Sequence, residues 1–144
     1  MAIVTAFANT FKKELFEGRH LIRSAGNGGN VFYMALYEPT ATLGASDTVY
    51  KTLGEVVGVG YTAGGASLVA LDPQVAGSAG IASFNNVVWS ASTISAGGCM
   101  IYNSDYSNAA CSTHSFSGTV SSNNGDFTVV MPNFTETEAL WRLV

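Results

Sequence analysis

At 144 residues the chain has room for one domain with a real buried core and is too short for two ordinary ones. Apolar residues supply 47% of it and charged residues 11%, against about a quarter charged in soluble domains. No run of about 18 apolar residues exists, so the mean hydropathy of +0.25 does not come from a membrane-spanning helix and points to surface hidden against neighbours. The net charge of −4 argues against nucleic acid as the main partner, because neutralising phosphates takes a cationic face.

The opening stretch, MAIVTAFANTFKKELFEGRH, lacks the ordered basic, apolar and small-residue regions of a secretory leader, so cytoplasmic synthesis is the expectation. Phe7, Phe11 and Leu15 recur at i, i+4 and i+8 with Val4 and Ala8 beside them. That stripe predicts an amphipathic helix over 3–17, stopped by Gly18. Lys12, Lys13, Arg19 and Arg23 are four of the six basic residues, with Glu14 and Glu17 interleaved; beyond Arg23 only Lys51 and Arg142 face the other eight acids. Two readings stand: a solvated helix face, or a docking element for an acidic partner. SAGNGG (24–29) reads as a flexible link, which divides the chain into 1–29, helix and link, and 30–144, the body.

From residue 30 the period changes. NVFYMALYEP alternates Val31, Tyr33, Ala35 and Tyr37 against Phe32, Met34 and Leu36, so it predicts a strand covered on both faces and ended by Pro39. Further strands are expected near 49–57, 60–62, 67–71, 86–91, 98–103, 114–120, 127–132 and 138–143, between Gly, Ser, Asn and Pro clusters. Many short strands mean a sandwich or barrel. The run DPQVAGSAGIAS (72–83) reads as a long loop, and Asn124-Gly125 as the type I′ turn of a hairpin.

GVGYTAGGASL (58–68) carries Gly58, Gly60, Gly64 and Gly65. A phosphate loop needs Lys followed by Ser or Thr after its last glycine, and here Ala66 and Ser67 follow. The dinucleotide fingerprint fails by one position at Gly64. The run is therefore expected to be a strand, a turn at Gly64-Gly65 and a second strand.

Catalytic chemistry finds little support. His114 sits among Ser112, Thr113 and Ser115 with Asp105 nearby, but no nucleophile elbow accompanies them. Glu136 and Glu138 share a side of an extended strand, and Glu38, Asp47 and Asp72 fall at loop edges, where solvated acids are ordinary. No calcium loop is present, and the two histidines, His20 and His114, are too few for a transition-metal site. We therefore expect no enzyme activity, catalytic residue, cofactor or metal. Cys99 and Cys111 are expected as reduced thiols, with an interstrand disulfide as the alternative. Tyr33, Tyr37, Tyr50, Tyr61, Trp89, Tyr102, Tyr106 and Trp141 read first as core and rim, and second as a sugar platform.

The order of motifs, KKELFEGRH, then FYMALYEPTATLGASDTVYKTLGEVVGVGYTAGGASL, VVWSASTISAGGCMIYN, GDFTVVMP and ALWRLV, resembles a family of small structural proteins encoded with the coat and tail genes of tailed bacteriophages. Its signature pieces are E-V-x-G-x-G-Y-x-x-G-G at 55–65, the Trp89 strand and I-Y-N at 101–103. The resemblance implies a virion component with an all-β, jelly-roll-like β-sandwich and a short N-terminal helix. It also implies a capsid decoration or cement role on the major capsid protein, as a homo-oligomer, dimer or trimer. A tail, collar or fibre-joining component is the alternative, and a host-glycan-binding module the second. Phe7, Phe11, Lys12, Lys13, Leu15, Arg19 and Arg23 are the expected partner-interface residues, and neither nucleic acid nor membrane is an expected partner.

Overall fold

The computed structural model describes residues 2–144, and they form an all-β fold with one short α-helix. In chain order, β1 (Ala6–Phe7) precedes α1 (Asn9–Phe16), and a 3-10 turn at Ala25–Asn27 leads into β2 (Phe32–Tyr37). A long loop then reaches β3 (Ala66–Ser67), followed by β4 (Gln74–Ala76), β5 (Ala79–Ala82), β6 (Val87–Ser92), β7 (Ser95–Asn103), β8 (Ala109–Ser121), β9 (Gly125–Val129) and β10 (Trp141–Leu143). They pair antiparallel as a five-stranded sheet, β1-β8-β7-β2-β3, a three-stranded sheet, β10-β5-β4, and the pair β6-β9.

The centre is β2 and β7. Phe32, Met34 and Leu36 enter one face of the sheet and Ala35 and Tyr37 the other, all at 0–1% exposure, as strand alternation between two covered faces requires. β7 can lie this deep because it is rich in small residues: a Cβ on Gly97 would come within 2.6 Å of the Pro39 backbone. β8 is bent by a bulge between its pairings with Gly98 and Ala96, where Ser117 and Gly118 take positive φ. Phe116, at that bend, packs on Phe127 of β9, which meets Trp89 edge-on.

The N-terminal segment is part of this core. The helix expected over 3–17 begins only at Asn9, because residues 6–7 satisfy their backbone groups on the outer edge of β8 instead, Phe7 opposite Ser112. Phe11 is 1% exposed, its ring 5.1 Å from Trp141 and 5.7 Å from Phe7, and its burial contributes about 1.5–3 kcal/mol. Gly18 ends the helix as expected. At φ +70° it donates to the Leu15 carbonyl (3.1 Å) while the Arg19 N–H donates to that of Glu14 (3.0 Å), a Schellman closure that needs the left-handed region. Residues 24–29 are a hydrogen-bonded turn and not a free link: Asp72 accepts from the Ser24 N–H (2.8 Å) and the Asn27 amide (2.9 Å).

Three other expectations need correction. The 72–83 run is a hairpin, β4–β5, because Gly77 at φ +58° supplies the first position of a two-residue turn. Asn124 has the positive φ expected of a turn, but β8 and β9 do not pair. β9 pairs with β6, so the chain changes sheets there. The segments 49–57 and 60–62 are irregular backbone, the first touching the large sheet at the isolated bridges Tyr37–Glu55 and Val49–Ala109.

Candidate functional site

The expected interface residues divide by environment. Lys13 pairs with Glu17 at 2.9 Å, and Arg19 approaches the same carboxylate at 3.8 Å while lying 5.6 Å over the Tyr106 ring. Glu14 is taken by His20, whose Nε2 lies 2.9 Å from Oε1. Lys12 and Arg23 are exposed and have no carboxylate within ion-pair distance among the described residues. Of the apolar trio, Phe11 is consumed by the core, while Phe7 and Leu15 stay partly open.

His20 ties this segment to the body. The Asn103 amide is oriented by the Asp105 N–H donating to Oδ1 (3.0 Å) and by Nδ2 donating to Asn30 Oδ1 (2.9 Å). Its Nδ2 therefore also donates to His20 Nδ1 (3.0 Å), which places the imidazole proton on Nε2, facing Glu14. Phe11 at 4.8 Å and Tyr106 at 5.5 Å close around the ring edge-on.

Phe7, Phe11 and Leu15 also wall a groove of about 360 Å³. Its other wall is set by register. Val75 opposes Gly80, Gly80 opposes Leu143 and Ala82 opposes Trp141, so these five residues share one face of the β10-β5-β4 sheet. Ala79 and Ile81 turn to the opposite face, where they pack with Ala139, Ala76 and Phe134. Arg142 shares that opposite face, and its guanidinium donates to the Glu136 carbonyl (3.1 Å). The groove walls are thus apolar, and the floor at Gly80 is open: an added Cβ there meets nothing within 4 Å. The rim is apolar too, with Val75 83% and Leu143 67% exposed.

The glycine-rich signature at 55–65 is a closed structural unit. Glu55, 7% exposed, accepts from the Tyr50 hydroxyl at Oε1 (2.6 Å) and from the Tyr61 hydroxyl (2.6 Å) and the Gly64 N–H (2.8 Å) at Oε2. Tyr61 in turn accepts from the Leu36 N–H (2.9 Å), and Tyr102 donates to the Gly64 carbonyl (2.6 Å). Burial and then the Glu55 carboxylate raise the phenols, Tyr102 to about 12 and Tyr50 and Tyr61 further. Gly65 fits because the chain runs against β2, where any Cβ would overlap the Met34 carbonyl. The glycines shape the approach to the sheet, and Glu55 locks it.

The Ser112–His114 pair is real but faces inward. Trp141 Nε1 donates to Ser112 Oγ (2.9 Å), which lies 2.8 Å from His114 Nε2. Ser112 is 1% exposed, and burial lowers the imidazole to about 4, which makes it a weak base at neutral pH. Asp105 does not join them; its carboxylate accepts from the Val31 N–H (2.7 Å). Cys99 and Cys111 are free and buried, Cys99 raised to about 12 and Cys111 also well up. Among the described residues no group of three or more His, Cys, Asp or Glu could hold a metal ion. The aromatic residues expected as a sugar platform are largely internal: Tyr102 stacks between Tyr33 and Tyr50, and Trp141 sits among Phe7, Phe11, Phe32 and Phe84.

Comparison with known proteins leaves the chain on its own physical evidence: no family model matches it, and no curated protein or solved structure does.

Proposed function

We propose that the chain is a structural component of a tailed-bacteriophage virion, a capsid decoration or cement protein. It binds the major capsid protein shell, bridges neighbouring coat subunits and acts as a homo-oligomer, dimer or trimer. In this reading the antiparallel sheets are a variant of the jelly-roll-like sandwich that the resemblance implies. The role is non-enzymatic and the site of action is the assembled virion.

The observation that carries the proposal is the surface. Fifteen large apolar side chains among the described residues are exposed, on a chain with 11% charged residues. They include Val75 and Leu143 at the groove, Phe16 at the end of α1, and Leu53, Val57 and Val59 on the loop. A few exposed apolar residues are ordinary, but this many on one small body with so few charges favour a protein that spends its life covered. The buried Glu55, Asn103 and Ser112 side chains, meanwhile, are hydrogen-bonded within the fold. Weak single contacts suffice in such a setting, because repeated attachment around a shell multiplies affinity.

The test is addition of the purified chain to coat shells that lack it, followed by sedimentation. Saturable co-sedimentation at a fixed ratio to coat subunits is the expected result. Failure to attach at any salt concentration, or binding to a glycan array instead, overturns the proposal.

A further inference from the structure

We propose that the groove between α1 and the β10-β5-β4 sheet receives an extended segment of a protein partner. The segment is apolar at its centre, carries Asp or Glu at its flanks, and lies along the open edge of β4. This deepens the assembly reading and rests on it for the existence of a protein partner.

Three features specify the occupant. The walls, from Leu15 and Ile22 to Val75 and Leu143, are apolar and partly open to water, so the centre of the segment is apolar. β4 pairs on one side only, with β5. Ala76 and Ala79 flank the two-residue turn as the hydrogen-bonded pair, so Val75 and Gly80 form a non-hydrogen-bonded pair. The N–H and C=O of Val75 therefore face the open edge while its side chain faces the groove. A strand added there gains backbone hydrogen bonds and places alternate side chains over the groove.

The third feature is charge. Lys12 follows Phe11 and Arg23 follows Ile22 in the chain, both exposed and without an ion pair. Asp72, beside Pro73 at the groove, is already bonded to Ser24 and Asn27. Lys13 and Arg19 are occupied by Glu17. Arg23 lies in the field of Asp72 and, after the Ser24 and Asn27 bonds, helps hold that carboxyl below its ordinary range. Lys12, Lys13, Arg19 and Arg23 set against Glu14, Glu17 and Asp72 therefore leave the helix side a single positive charge in excess, centred on Lys12. That excess selects a segment with acidic flanks. A second copy of this chain is disfavoured as the occupant, because a two-fold contact sets this patch, with its excess positive charge, against itself.

The experiment is selection of a displayed random ten-residue peptide library on the immobilised chain, counter-selected on Gly80→Phe, whose ring fills the groove floor. Val75→Asp, at an exposed wall position, is the second variant should Gly80→Phe fail to fold. The expected consensus alternates apolar residues between acidic flanks. An enriched peptide, followed by anisotropy, should lose about tenfold or more in affinity on either groove variant. On Lys12→Ser/Arg23→Ser it should lose affinity at about 50 mM salt but not at about 500 mM. No groove-dependent enrichment, or a consensus that is basic or uncharged, overturns the inference. So does sedimentation showing a self-associated chain that Val75→Asp dissociates, since a second copy then fills the groove. Because the selection uses the isolated chain, its failure leaves attachment to coat shells as a separate result.

Discussion

Removing the Glu55 carboxylate tests the reading of the 55–65 signature as a lock. In Glu55→Gln, an amide oxygen turned toward Tyr61 and Gly64 keeps two of the three bonds as neutral ones, and the Tyr50 hydroxyl must turn to accept from the amide nitrogen. Hydrogen bonds to a charged group contribute about 1.5–3 kcal/mol against about 0.5–1.5 for neutral pairs, so three conversions remove about 3 kcal/mol. Relief of the buried charge returns part of this, leaving a loss of about 1–2 kcal/mol. Glu55→Ala leaves two hydroxyls and an N–H unpaired at about 1–3 kcal/mol each. Tyr50 and Tyr61 are partly exposed and regain some water, so the expected loss is about 4 kcal/mol. Against a total stability of about 5–15 kcal/mol that is a large fraction, equivalent to a drop of about 10–15 °C in Tm. Urea unfolding followed by tryptophan fluorescence, with the midpoint falling at constant slope, is the assay. Both variants within about 0.5 kcal/mol of the parent would refute the lock.

Other predictions concern the buried titratable groups and the helix. Burial lowers His114 from 6.5 to about 4, so between those values the unfolded chain binds a proton that the folded one does not. Stability is then intact above about pH 6.5 and falls as the pH drops toward 4, by about 2 kcal/mol after allowance for the partial exposure of the residue. His114→Gln should flatten that part of the pH–stability curve, and an unchanged curve would contradict the assignment. Cys99 and Cys111, buried and with raised thiol pKa values, should resist a thiol-reactive disulfide reagent at pH 8 in the native chain and react fully in urea; native labelling would show the β7–β8 core to be open. Lys12→Ser/Arg23→Ser should weaken shell attachment more than Lys13→Ser/Arg19→Ser at low salt, since Glu17 already occupies the second pair. Equal losses would mean that this division does not govern docking.

What the sequence showed and what it hid follow from the range of the interactions. β2 was legible because its covered faces alternate within six residues, and the stop at Gly18 because a left-handed helix end favours glycine. The spacing of Phe7 to Phe11 fits a helix; the competing partner, Ser112 on β8, lies over a hundred residues away. The β4–β5 hairpin was hidden by small residues that carry weak strand preference, although Gly77-Ser78 held the turn signal. At Asn124-Gly125 only the positive φ of Asn124 is legible: Gly125 does not take the second positive φ that a type I′ turn needs, and β9 finds β6 across a change of sheet. For the candidate site, the apolar stripe and basic cluster were visible, but the separation of Lys12 and Arg23 from Lys13 and Arg19 depends on where Glu17 points. The groove needs β4 and β5 from the middle of the chain and β10 from its far end, three short elements brought to α1. Glu55 stood in the signature motif, but its meeting with Tyr50, Tyr61 and Gly64 is a loop closure that no periodicity encodes.

Counting the chain in purified particles tests the proposed shell role. On the proposed reading, quantitative mass spectrometry of purified particles from the source of the chain should give a copy number equal to, or a simple fraction of, that of the major coat subunit. A ratio far below that would move the chain to the tail or collar, and its absence from the particles would contradict the structural reading altogether.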